Sequence, residues 1–148
     1  MIFIGYQGIG KSTIAQNNDH YVDLESGCFW HNGKRAIDWF ISYCKIAEHL
    51  SKQGYVVFVS SHAEVRECLK SSKESVIAIV PSAKLKDQWI EKLKLRWEDS
   101  QLGKDMKAYL NAKDRYIENL REIKKDVEFI EITDMDYSLK KIIGQFER

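Results

Sequence analysis

Two stretches near the start of the chain have residue types and spacing suited to handling phosphate. The first is Gly5-Tyr6-Gln7-Gly8-Ile9-Gly10-Lys11-Ser12-Thr13. Glycines at 5, 8 and 10 permit backbone angles that a side chain would forbid. Successive N–H groups, that of Ile9 among them, can then converge on an anion, helped by the positive end of a helix opening at Lys11. Lys11 adds a mobile cation matched to β- and γ-phosphates, the Ser12 hydroxyl is a hard oxygen donor for Mg²⁺, and Thr13 extends the hydroxyl pair. The second stretch is Asp23-Leu24-Glu25. Alternate residues of a strand share a face, so Asp23 and Glu25 can both turn toward one cleft. There they can hold Mg²⁺ and orient or deprotonate an acceptor hydroxyl.

The elements that must position these groups follow from the apolar pattern. Ile2-Phe3-Ile4 reads as a buried strand feeding the glycines, and residues 11–17 as a short helix broken by Asn17-Asn18-Asp19. His20–Leu24 reads as the second strand. Residues 36–52 repeat apolar side chains at helical spacing up to Gly54. Tyr55–Val59 and Val76–Val80 are the third and fourth strands, with a short helix over Ala63–Leu69 between them. A helix from Ala83 carries Leu85, Trp89, Leu93 and Trp97 at steps of four, and both tryptophans read as core or lid packing. Gly103 interrupts that pattern, a second long helix runs over 104–125, Val127–Ile132 is the last strand and Tyr137–Phe146 the last helix. Strands alternating with helices predict a parallel α/β sheet covered on both faces, in one domain spanning residues 1–148. Ligands of such sheets bind at the carboxyl ends of the strands.

With its strand and helix in place, Gly5-x-x-x-x-Gly10-Lys11-Ser12 fits the Walker A pattern at every fixed position. That predicts binding of a nucleoside triphosphate, ATP, with Mg²⁺ held at Ser12 and Asp23. A hydrolysing motor or switch needs a further acid after a neighbouring strand. Here the third strand runs into Ser60-Ser61-His62 and the fourth into Pro81-Ser82, and no Asn-Lys-x-Asp stretch reads guanine. The layout resembles the small P-loop kinases of metabolites and nucleotides: shikimate kinase, gluconate kinase and the nucleoside monophosphate kinases. In layout the resemblance covers nearly the whole chain, and in specific motifs residues 5–13 and 23–25. It implies a P-loop three-layer sandwich with a five-stranded parallel sheet and a helical lid, here residues 84–125. It also implies a carboxylate pair, here Asp23 and Glu25, serving Mg²⁺ and the acceptor. The chain departs from the shikimate kinases at Ser60-Ser61-His62, where they carry a Gly-rich turn.

The lid region holds 12 of the 23 Lys/Arg and 8 of the 22 Asp/Glu, a local +4 against +1 for the whole chain. That asymmetry suits an anionic ligand gripped from this side. Arg96 is the first candidate to touch phosphate and Arg115 the second, with Lys92 one turn before Arg96 and Arg121 on the returning helix. Residues 27–35 mix Phe29, Trp30 and His31 with Lys34 and Arg35. This suits a planar base with a phosphate, and equally a loop whose aromatics cap the core; His62 reads as a surface histidine. The expected activity is transfer of the γ-phosphoryl group of ATP to a small acceptor, most favourably a nucleoside or deoxynucleoside monophosphate. The alternatives are a kinase of a non-nucleotide metabolite and a non-catalytic ATP- or GTP-binding regulatory protein. A polynucleotide kinase ranks below these, because the charge outside the lid is acidic. No apolar run approaches the ~20 residues of a membrane span. Met1 leads directly into the first strand, so no targeting segment and a cytoplasmic location are expected. The three cysteines, Cys28, Cys44 and Cys68, match no disulfide or zinc spacing.

Overall fold

In the computed structural model, which describes residues 1–147, five strands form one all-parallel sheet in the order β2-β3-β1-β4-β5. The strands are β1 (Ile2–Gly5), β2 (Tyr21–Asp23), β3 (Val56–Val59), β4 (Val76–Pro81) and β5 (Phe129–Ile132). Parallel strands cannot be joined by tight turns, so each connection carries helix. Those helices are α1 (Lys11–Gln16), α2 (Trp39–Lys52), α3 (Ala63–Leu69) and the pair α4 (Lys86–Ser100) and α5 (Gly103–Asp126). A final helix, α6 (Leu139–Gly144), follows β5. The chain is thus an α/β protein, compatible with a three-layer sandwich.

The burial pattern explains the strand order. Every residue of β1 and β3 is buried, as their unbroken apolar runs require of strands covered on both faces. The edge strand β5 instead exposes Phe129 and Glu131 and buries Ile132. Phe3 of β1 stacks on Phe58 of β3 at 5.9 Å and meets Phe146 edge-on at 5.8 Å. Arg66 of α3, almost fully buried, donates to Asp126 at the end of α5 (2.9 Å) and to the Ser61 carbonyl (2.5 Å). It thereby ties the loop after β3 to the last turn of α5.

Several boundaries differ from the sequence reading. The helix expected from Ala36 begins at Trp39, and Ile37 is 96% exposed rather than part of its apolar stripe. A 3-10 turn over Ala83–Leu85 precedes α4. The break between α4 and α5 is made by Gln101, which takes the left-handed conformation (φ 58°), while Gly103 is already helical. Within α5 the backbone kinks at Arg115 (φ −137°, ψ 24°). The last helix is shorter than expected and is capped by the Ser138 hydroxyl, which accepts from the Lys141 N–H.

The topology creates one crevice. From β1 the chain passes outward to β2, whereas from β3 it crosses to β4 on the far side of β1. The carboxyl end of β1 is therefore a switch point, where connections diverge and a crevice opens. The Gly5–Thr13 stretch leaves the sheet there. Among the described residues no helix is long and apolar enough to cross a membrane.

Candidate functional site

A cleft of about 900 Å³ lies over the carboxyl ends of the strands. Its floor is the glycine loop, residues 7–14. Gly8 and Gly10 have φ of +89° and +104°, where a side chain is strained. Gly5 has no room for one: a Cβ there would lie 2.6 Å from Lys11 Cδ and 2.7 Å from Ile9 Cδ1. Among the described residues, none accepts a hydrogen bond from the backbone N–H of Gly8, Gly10, Lys11, Ser12 or Thr13, whereas the Ile9 N–H, expected with them, is turned inward and donates to the Tyr6 carbonyl at 3.3 Å. Unpaired amides at the start of a helix form an anion receptor. Lys11 bends back over the loop and donates to the Gly5 carbonyl at 3.3 Å. Desolvation holds the Lys11 ammonium below its ordinary pKa, opposed by Asp23 and Glu25 and aided by Arg96. Gly8→Ala is expected to cost about 1–3 kcal/mol of stability from backbone strain alone. Its Cβ would also meet Leu93 Cδ2 at 2.9 Å. Urea unfolding of the variant checks this.

Asp23 and Glu25 both line the cleft, facing the loop as their alternation predicts. Desolvation raises the Asp23 carboxyl to about 6, against the pull of Lys11 and with the push of Glu25. The pair is fixed from behind by Tyr43 of α2. Its hydroxyl donates to the Leu24 carbonyl at 2.6 Å and accepts from the Ser60 N–H at 2.8 Å, so it joins the carboxyl ends of β2 and β3. Tyr43→Phe leaves both backbone groups without that partner, and a loss of about 2 kcal/mol is expected in chemical denaturation.

The helix pair α4–α5 supplies the other wall. Lys92, Leu93 and Arg96 of α4 line the cleft with Lys104, Asp105 and Ala108 of α5. Arg96 is bound to Asp105, Nε to carboxylate oxygen at 3.1 Å, and Asp105 also accepts from the Ser100 hydroxyl at 2.5 Å. This clasp holds the α4–α5 turn and keeps the guanidinium at the rim. Arg115 is not brought to the cleft: it sits at the kink of α5, exposed, and pairs with Glu122 at 3.0 Å. Arg121 is likewise outside the cleft lining. Trp89 is fully buried, and Trp97 stacks on Tyr109 at 5.7 Å.

On the far side the lining ends at Ser26. Beyond it His31 and Lys34 exchange backbone hydrogen bonds of 2.7 and 3.0 Å around Asn32-Gly33, both at positive φ, forming a two-residue hairpin. Phe29 packs on Trp39 and Tyr43, capping the core, whereas Trp30 is 47% exposed. The Arg35 guanidinium lies over the rings of Trp39 (4.1 Å) and Trp30 (4.9 Å). His62 is half-buried rather than a surface residue, edge-on to Trp39 and bonded through Nδ1 to the Ser60 hydroxyl at 2.7 Å. Desolvation, then Arg35, lowers its pKa.

The remaining lining was not anticipated. Gln7 and Lys104, which no spacing singles out, line the cleft as well. Met135, Tyr137, Leu139 and Lys140 come from the segment after β5. The carboxyl-end rule, applied to the fifth strand as it was to the others, points to that segment. Gathered together, the site offers an amide-lined floor, a desolvated lysine, two carboxylates and a rim of cations. No protein-family model matches the chain, and no curated protein matches it.

Proposed function

We propose that the chain is an ATP-dependent phosphotransferase of the small P-loop kinase type, acting on a small acceptor, with a nucleoside or deoxynucleoside monophosphate favoured. One observation carries this reading: the Walker A loop, its lysine and the Asp23/Glu25 pair open into a single cleft of about 900 Å³. That volume is at the upper end of small-molecule sites and suits a donor and an acceptor side by side.

The residues present fit a triphosphate with Mg²⁺. The unpaired amides of residues 8 and 10–13 would receive the β- and γ-phosphates. Ser12 and Asp23 would hold the ion, which supplies neutralisation of charge on the transferring group. Lys11 stabilises charge building on the γ-phosphoryl oxygens, and Arg96 does so from the rim once it is released from, or shared with, Asp105. Asp23 or Glu25 orients the acceptor oxygen and, where that oxygen belongs to a hydroxyl, takes its proton. Incubation with ATP and a panel of ribo- and deoxyribonucleoside monophosphates and sugar acids tests the reading, with ADP production dependent on one acceptor as the expected result.

A second reading, a nucleotide-binding protein that transfers nothing, is favoured by the residues that follow β3 and β4. Ser60 and Ser82 stand there, and neither is an acid. Tight ATP binding without acceptor-dependent ADP would support that reading over the first.

A further inference from the structure

The α4 side of the glycine loop carries donors aimed at the loop's carbonyls, with no part in the chemistry assigned above. Trp89 Nε1 donates to the Gln7 carbonyl at 2.9 Å. The Tyr137 hydroxyl donates to the Ile9 carbonyl at 2.7 Å. Lys92 Nζ donates to the Tyr137 oxygen at 3.0 Å, and its ammonium lies 4.4 Å from the centre of the Trp89 ring. The Trp89 and Tyr137 rings stack at 5.9 Å. An ammonium can only donate. Lys92 therefore occupies a lone pair of the Tyr137 oxygen and leaves that hydroxyl's proton for the loop, where the Ile9 carbonyl at 2.7 Å is much nearer than the Gly8 carbonyl at 3.5 Å.

In a trans peptide the C=O of one residue and the N–H of the next point in opposite directions. A Gln7 carbonyl held toward Trp89 turns the Gly8 N–H the other way, and an Ile9 carbonyl held toward Tyr137 does the same for Gly10. Both amides are among those without a protein acceptor. We infer that Trp89 and Tyr137 are positioning residues that keep the glycine loop in its anion-receiving form, with Lys92 orienting the Tyr137 hydroxyl. The inference rests on the triphosphate reading of the loop and adds that affinity is set partly from the loop's outer side, through phosphate and regardless of the base.

The test is titration calorimetry with ATP, GTP and inorganic tripolyphosphate, with Mg²⁺, on the wild type and Tyr137→Phe. The variant should melt close to the wild type. It should weaken every one of the three ligands the wild type binds by a common factor of about tenfold. In nitrogen–proton spectra tripolyphosphate should shift the Gly10 amide less in Tyr137→Phe than in the wild type, while the Gly8 shift, held by Trp89, persists. Lys92→Met also removes a cation from the cleft wall and so weakens binding of any polyanion. If Tyr137→Phe melts far lower, this variant carries the test through the Gly10 amide, whose tripolyphosphate shift should shrink while that of Gly8 persists, an undiminished Gly10 shift overturning the inference. Unchanged affinity for tripolyphosphate in both variants, or a loss confined to one nucleotide, overturns the inference while leaving the loop's function intact. A wild type that binds none of the three overturns the triphosphate reading itself and the inference with it.

Discussion

Lys11→Ala should reduce acceptor-dependent ADP formation by about 10²–10³-fold or more while leaving the melting temperature near that of the wild type. The two halves of this expectation have separate causes. A preorganised cation in a desolvated cleft acts on charge that develops only as the phosphoryl group moves, so its loss falls on the rate. The fold asks little of the same side chain. Among the described residues its one hydrogen bond is to the Gly5 carbonyl, and at 3.3 Å it is a long one. Burial already holds the ammonium's pKa down, so folding pays a desolvation cost for Lys11 that alanine removes. Alanine is also the best helix former at the first position of α1. A coupled ADP assay and a thermal melt on one preparation check both halves. Turnover at the wild-type rate would remove the glycine loop from the chemistry, and a collapsed melt would make Lys11 a structural residue.

How far the sequence carried these conclusions depends on the length scale of the cause. The strands were legible because parallel strands buried on both faces leave unbroken apolar runs, as in Ile2-Phe3-Ile4 and Val56–Val59. The loop was legible because its chemistry is local: glycines, lysine and serine at fixed spacing. Asp23 and Glu25 followed from strand alternation. The cations did not follow. The sequence ranks Arg96 before Arg115 but keeps both as phosphate candidates, whereas reaching the cleft depends on where a helix kinks and which acid an arginine meets. Arg96 meets Asp105 at the rim, and Arg115 meets Glu122 beyond the kink. Such pairs join residues on two elements, and no pattern within either one encodes them. Tyr137 was missed for a related reason. It belongs to the last segment of the chain and serves the first loop, bonding to Ile9 across 128 positions. Reading residues 84–125 as a lid also needs division. Trp89 and Leu93 of α4 and Tyr116, Leu120 and Ile123 of α5 are buried, so much of the helix pair is core. The cleft wall is the part near the Gln101 turn.

Asp23→Asn should separate function from stability in opposite directions. Asparagine keeps the shape but can neither accept a proton from an acceptor hydroxyl nor give Mg²⁺ a full negative charge. A fall of about 10²–10⁴-fold in turnover is expected. Stability should change the other way with pH. Burial raises the Asp23 carboxyl in the folded chain from 3.8 to about 6, so between those values the folded protein holds a proton that the unfolded chain releases. The stability that the protonated acid contributes is complete below about pH 4 and is lost as pH rises through 6. Asparagine does not titrate and suffers no such loss. The difference in melting temperature, variant minus wild type, should therefore climb between pH 4 and 7 and then level off, in buffer free of nucleotide and divalent cations. A flat difference would mean that Asp23 is solvated like any surface acid, and a falling one that its charge is stabilised in the fold by Lys11. A rising difference together with lost turnover would mean that the chain keeps a carboxylate where it weakens the fold, and strain of that kind is typical of residues retained for chemistry.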